Sequence, residues 1–494
     1  VNRPFAATKR SNEIMDLLKK PLLSLMVLGA IAVALPSCKK SEGCTDPTAT
    51  NYDPDAEKDC CCEYPTVASF TVTDLDATTK QVEGTTATNF TLTSDKKWVL
   101  KGFVYVESGA TLTVQPGTIV KGDKPTKGTL IIKRGGKLNA DGTASQPIVF
   151  TSNQPAGSRD YGDWGGIIIC GRAPHNQPSD PVIEGGPDAQ YGGTDANDNS
   201  GILRYVRIEF CGIAFQPNQE INGLTMGAVG RGTTLDNIQI SYSGDDSYEW
   251  FGGTVNAKHL IAFRGWDDDF DQDFGWQGKA QFAVSLRDPN VADASSSNGF
   301  ECDNDAAGND VAPYSQGTWS NVSIFGPKAD AGTTINDQYK RALHLRRRTQ
   351  TRVFNSVFAG YPTGLYIDGD NTQVNASNGE LMFRNNVVAG METPLNVPNN
   401  STFWDQNALT NWFNTSGWNN IIYANNSDLQ VANPFNLSAP NFMPNSGSPL
   451  LAGADFTNGP VTDGFFTPVS YRGAFGTDNW TAGWANWDPQ NTAY

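Results

Sequence analysis

From Trp98 onward the chain alternates short apolar runs with glycine-bearing turns: Val104 to Val106, Thr111 to Val114, Thr129 to Ile132, Pro147 to Phe150 and Gly166 to Ile169. Period-two alternation between turn signals predicts short strands, not helices. Mid-chain, Leu235 to Ala257 is followed by Lys258 to Ala280, each 23 residues long, and their apolar positions superpose. Ile238 falls on Ile261 and then Val284, Ile240 on Phe263 and then Leu286, and Phe251-Gly252 on Phe274-Gly275. A strand that returns at such a period marks a solenoid, because one turn cannot bury its apolar face alone. Looser echoes follow: Val206 to Gly212 precedes the similar Ile238 to Gly244 by 32 residues, and Asn355 to Gly360 recurs as Asn385 to Gly390. Asparagines at strand ends suit inward ladders or tight turns. The pattern predicts an all-β, right-handed parallel β-helix over residues 96–435, after a strand or cap region at 66–95. A propeller blade of about 40 to 50 residues does not fit. Residues 436–494 carry Trp480, Trp484 and Trp487, expected to cap the last turn.

The beginning of the chain has a different pattern. Lys19 and Lys20 precede an apolar run from Leu22 to Leu35, then Pro36, Ser37 and Cys38. At 14 residues the run is shorter than the roughly 18 to 20 a transmembrane helix needs, so it reads as a signal peptide over 15–37. Residues 1–14 read as an upstream mis-start. Leu35 to Cys38 resembles the lipobox of bacterial lipoproteins, which implies lipidation at Cys38 and an outer-membrane lipid anchor, at the cell surface rather than the periplasmic face. Residues 38–65 are polar and cysteine-dense, a stalk. Within it Gly43 to Tyr64 resembles a short GCTDPxAxNY module of Bacteroidetes surface proteins, and that resemblance implies a Cys44–Cys62 disulfide, with Cys60 and Cys61 departing from the pattern.

Composition narrows the partners. The chain has 36 basic and 52 acidic residues, a net charge of -16, which repels nucleic acid and anionic lipid surfaces. Its three histidines are far apart, against a histidine-rich metal site. His344 falls with surface residues by alternation, and Arg346 to Arg348 read as a solvated turn or as a partner for acids of another molecule. Cys170, Cys211 and Cys302 read as small buried thiols.

Val104 to Gly122, Asp163 to Ile169 and Ser470 to Gln490 resemble β-helical envelope proteins common in Bacteroidetes. The resemblance spans most of residues 96–494 and implies fold and location, with little chemistry.

The chemistry concentrates in Gly265 to Trp276, GWDDDFDQDFGW. In an extended segment Asp267, Asp269, Asp271 and Asp273 share one face, about 7 Å apart, while Trp266, Phe270, Phe274 and Trp276 share the other with Asp268. The 23-residue offset sets Asp245 beside Asp268 and Asp246 beside Asp269, and it puts Tyr248 and Trp250 on the face of Asp271 and Asp273. Three readings compete. The stripe binds calcium through Asp246, Asp267, Asp269 and Asp271, since hard cations take carboxylate oxygens. Or it is a groove resembling β-helical polysaccharide lyases, with Arg264, Arg287 and Asp269 as catalytic candidates, or a glycoside hydrolase. Or the acids merely solvate an exposed face. Aromatics beside acids suit sugar rings, so Asp245, Asp268, Asp273, Tyr248 and Trp250 are candidate ligand contacts, with a core aromatic stack as the alternative. The combined expectation is a non-catalytic, lipid-anchored envelope protein that presents a surface for polysaccharide or another envelope component. No organic cofactor is indicated.

Overall fold

The computed structural model describes residues 42–45, 55–56, 58–61, 69–185, 187–216 and 219–494. The chain divides into two compact units, residues 1–66 and 67–494. In the first, Glu42–Gly43 pairs in parallel with Lys58–Asp59. Cys44 is disulfide-bonded, and Cys60 and Cys61 are bonded to each other. The expected anchor Cys38 and the expected pairing partner Cys62 lie outside the described residues, as does the signal segment.

The second unit is a parallel β-helix, and the all-β expectation holds. Its strands stack in three columns. Long strands such as Thr234–Ser241, Asn256–Phe263, Lys279–Leu286 and Thr318–Phe325 serve two columns each, their two halves pairing separately with the coils before and after. Each bends between the halves at one residue of positive φ: Asn237 (53°), His259 (54°), Phe282 (62°) and Asn321 (56°). Asparagine tolerates this left-handed conformation better than most residues. Asn355 and Asn385 take it in the following coils. The strand-end asparagines are therefore corners. The third column runs Leu224–Gly227, Tyr248–Phe251, Phe270–Asp273, Phe300–Cys302, Arg341–Leu345, Thr363–Ile367 and Thr393–Asn396.

The coil register corrects the sequence alignment by one residue. Tyr248 pairs with Phe270 and Ile238 with Leu260, 22 positions on, whereas Ala257 pairs with Ala280 and Ile261 with Val284, 23 positions on. The turn between Tyr248–Phe251 and Asn256–Phe263 holds four residues, and the next, between Phe270–Asp273 and Lys279–Leu286, holds five. Matching Phe251-Gly252 with Phe274-Gly275 hid this insertion. A one-residue slip exchanges the two faces of a strand.

The interior is a continuous apolar stack that includes Ile167, Leu224, Tyr248, Trp250, Phe270, Phe300, Trp319 and Leu343. Cys170, Cys211 and Cys302 are free and buried. At the far end the helix α1 (Asp370–Ser377) and the helix α2 (Gln406–Phe413) close the stack, with Leu409, Trp412 and Phe413 in the core. The expected cap over 436–494 is placed differently. That segment runs back along the flank as a strap. Phe442, Leu450, Phe475 and Trp484 bury against the outward residues Ile261, Phe263, Val284, Leu286, Phe325 and Val357. Corner and edge side chains hold it in sequence: Asn385 Nδ2 donates to Gly453 O, Asn355 to Asp455 O, Asn321 to Tyr471 O, Gln281 Nε2 to Thr467 O and Gln239 to Asn486 O. Trp484 is buried as expected, but against a flank, because strands apolar on both faces need cover along their length.

Candidate functional site

The outward positions of the third column form one line across successive coils: Thr225, Glu249, Asp271, Glu301, His344 and Tyr366. Neighbouring strands lie about 4.8 Å apart, so this pairing stacks carboxylates directly. The turn before each strand adds Asp245, Asp246, Asp267 and Asp268. Three triads result, the ligand atoms of each within 4.8 Å of one another: Asp245, Asp246 and Asp267; Asp246, Glu249 and Asp271; Asp268, Asp271 and Glu301. Asp246 and Asp271 each belong to two.

Hydrogen bonds fix these groups. The Asp268 N–H donates to Asp246 Oδ1 at 2.8 Å. Asn298, fully buried, gives its N–H to Asp268 and its amide N–H to Asp268 and Glu301, both at 3.3 Å. Asn222, also buried, donates its amide N–H to Glu249. Ser295 Oγ donates to Asp267 at 2.8 Å. Three buried acceptors around these carboxylates, Asn222 Oδ1, Asn298 Oδ1 and Asp267 Oδ1, meet no donor among the described residues. Burial first, then the neighbouring carboxylates, pushes Asp246, Glu249, Asp267 and Asp271 well above the usual carboxylate range. Asp268 rises for the same reasons, led by burial and then Glu301. Asp273, beside Asp303, is pushed up to about 8 by burial and that neighbour. Burial would raise Glu301 too, but His344 and Arg346 together hold it below its ordinary value.

The expected metal set Asp246, Asp267, Asp269 and Asp271 is not brought together. Asp269 points inward, where it forms a 2.8 Å ion pair with Arg287, both side chains fully buried. Glu249 and Glu301 take the place expected of Asp269. Arg287 also donates to the Trp266 carbonyl at 3.2 Å. Arg264 pairs with Asp288 and lies over the Tyr242 ring. The two arginines expected as bases are thus committed to ion pairs, Arg287 out of reach of solvent. Tyr248 and Trp250 are corrected from ligand contacts to core residues: each is 0% exposed, and their rings stack at 5.9 Å. The 22-residue register turns them inward and brings Glu249 out instead. Asp245, Asp268 and Asp273 remain on the acidic side.

His344 is corrected from a surface position. It is buried, its ring nitrogens 3.3 Å from Glu301 and 3.1 Å from Asp368. Arg346 and Arg347 bind Asp303 of the same chain at 2.8 and 2.7 Å, and Arg346 also binds Glu301. They end the acidic line with positive charge. Glu301 was legible after all: Phe300-Glu301-Cys302-Asp303 repeats the spacing of Phe270-Asp271-Gln272-Asp273.

The donor set is oxygen only, all of it carboxylate, and no histidine belongs to a triad. Such a set fits a hard divalent cation. Asp246, Glu249, Asp268, Asp271 and Glu301 would hold it, and the cation would neutralise their charge.

A family profile described as pectate-lyase like beta helix domain matches residues 84–436, more than half of the chain. No curated protein matches the chain. Among solved structures it is similar to the Dettilon tailspike protein (gp208), at 12% identity and a TM-score of 0.24, over 69% of this chain and 64% of that one.

Proposed function

We infer, for a chain that belongs to the pectate-lyase like beta helix domain family, that the acidic cluster along its third column binds calcium and, through calcium, a polysaccharide, without cleaving it. The observation that carries this reading is the stacking of carboxylates within 4.8 Å of one another, with the buried Asp267 Oδ1 meeting no donor among the described residues. A buried acceptor left unpaired costs about 1–3 kcal/mol, and a cation at the triads removes that cost at Asp267 Oδ1. Like charges this close ionise together only with a counter-cation. Binding without cleavage is supported by the basic groups: among the described residues Arg287, Arg346 and His344 are each engaged by carboxylates. The lipobox-like Leu35 to Cys38 supports an outer-membrane lipoprotein that displays the cluster at the cell surface.

Retention of the full-length chain on immobilised acidic and neutral polysaccharides, with calcium and with chelator, tests the binding. Calcium-dependent retention that Asp271→Asn abolishes is expected. Retention indifferent to chelator sinks the calcium reading. The rival is a calcium-dependent polysaccharide lyase or glycoside hydrolase using the same cluster. Unsaturated products or new reducing ends after incubation with the same polysaccharides would establish it.

A further inference from the structure

A cavity of about 280 Å³ opens between the strap and the turn after α2, and it shares no residue with the acidic triads. In the coil Met382–Arg384, alternation turns Phe383 inward and Arg384 outward. Arg384 pairs with Phe354 of the coil before, and the strap covers Phe354 with Val461 and Phe466. It brings Arg384 no acceptor. The guanidinium lies over the Trp418 ring, 5.0 Å from its centroid. Its Nε is sealed in, while Nη1 and Nη2 are open to solvent and hold no hydrogen bond or ion pair among the described residues. Burial alone lowers its pKa, with no carboxylate acting against that, and arginine stays charged all the same. A guanidinium lying on a ring keeps its fork free at the edge, and a carboxylate fits that fork with two parallel hydrogen bonds.

The one acid that lines the cavity is Asp455. Its Oδ1 accepts the Thr457 hydroxyl at 2.6 Å and the Thr457 N–H at 2.8 Å, and these bonds hold its pKa below the ordinary value, so it is ionised at neutral pH. Both bonds go to Oδ1, which leaves Oδ2 room for another donor. Asp455 and Arg384 thus line one small space without pairing with each other or with any other ion among the described residues. A ligand of one charge satisfies one wall and is repelled by the other. The complement is a zwitterion whose body is apolar enough to pack on the indole.

We propose that this cavity binds a free amino acid, its carboxylate on Arg384, its ammonium on Asp455 and an apolar side chain against Trp418. Calorimetric titration of the full-length chain in chelator tests it, with leucine, with leucinamide, which lacks the carboxylate, and with isocaproate, which lacks the ammonium. Leucine is expected to bind at least about tenfold more tightly than either analogue, the scale of one lost hydrogen bond to a charged group. Arg384→Met keeps a stem on the indole and removes the fork, so it is expected to weaken leucine and isocaproate about tenfold and to leave leucinamide unchanged. Asp455→Asn, which keeps the Oδ1 acceptor for Thr457, is expected to weaken leucine and leucinamide about tenfold and to leave isocaproate unchanged or tighter. A damaged fold weakens all three ligands alike, so the opposite patterns of the two variants separate recognition from stability. No binding of leucine, equal binding of the three ligands, or leucine binding indifferent to either variant overturns the proposal. Equal weakening of all three ligands by both variants overturns it as well, because the two charges then do not divide the ends of the ligand between them.

Discussion

Neighbouring acids within one short segment do opposite work. Asp269 faces the interior and neutralises Arg287, whereas Asp268 and Asp271 face one another and Glu301. A buried pair broken on one side leaves an uncompensated charge, so Arg287→Ala is expected to cost about 3–5 kcal/mol in urea unfolding, with or without calcium. Asp271→Asn should behave in the reverse way. It removes a repelling charge while keeping shape, so the calcium-free protein should melt at the same temperature or slightly higher, and the calcium-induced rise should disappear. A loss of stability at Asp271→Asn in chelator would show that the carboxylate already has a favourable partner in the protein itself. The sequence pointed to this segment by its composition, but it did not separate the two roles. Alternation assigns four aspartates to one face only while the backbone stays extended, and Phe270–Asp273 is the only extended part.

Among the elements, the corners decide the register. Asn355 holds a φ of 53°, gives its amide to Ser320 and to the strap carbonyl of Asp455, and accepts from the Asp455 N–H at 2.9 Å. Asn355→Gly keeps the conformation and loses the bonds, while Asn355→Ala loses both. The alanine variant is expected to unfold at lower urea than the glycine variant, by about 1 kcal/mol, the usual cost of left-handed backbone in a residue with Cβ. Equal destabilisation would mean that the corner carries no conformational demand. The strands themselves were legible, because alternation with glycine between runs has no helical counterpart. The coil length was legible only to within one residue. The slip between 22 and 23 sits in the turn at Phe274 to Gly278, where a chance Phe-Gly match imitates the previous turn. That single residue decides whether Trp250 or Glu249 faces outward. The strap was illegible for another reason: an aromatic-rich ending signals burial, but alternation says nothing about whether the apolar surface it covers lies at the end of a stack or along its side.

For the whole molecule, the consequence is a stability that depends on pH and on cation together. Cluster carboxylates whose pKa is raised in the folded state keep protons that the unfolded chain releases, so their contribution is complete below the unfolded value near 4 and is lost as pH rises through the folded values, about 8 for Asp273. Without cation the protein should therefore lose stability between about pH 4 and pH 8. Calcium competes with those protons and should restore stability most where they have left. The most direct measurement is the melting temperature of the full-length chain in chelator and in excess calcium, at pH 5 and pH 8. A rise of about 3 °C at pH 8, smaller at pH 5, is the scale expected of a cation at a hundred times its Kd. A melting temperature indifferent to calcium and chelator at both pH values would contradict the cation-binding cluster.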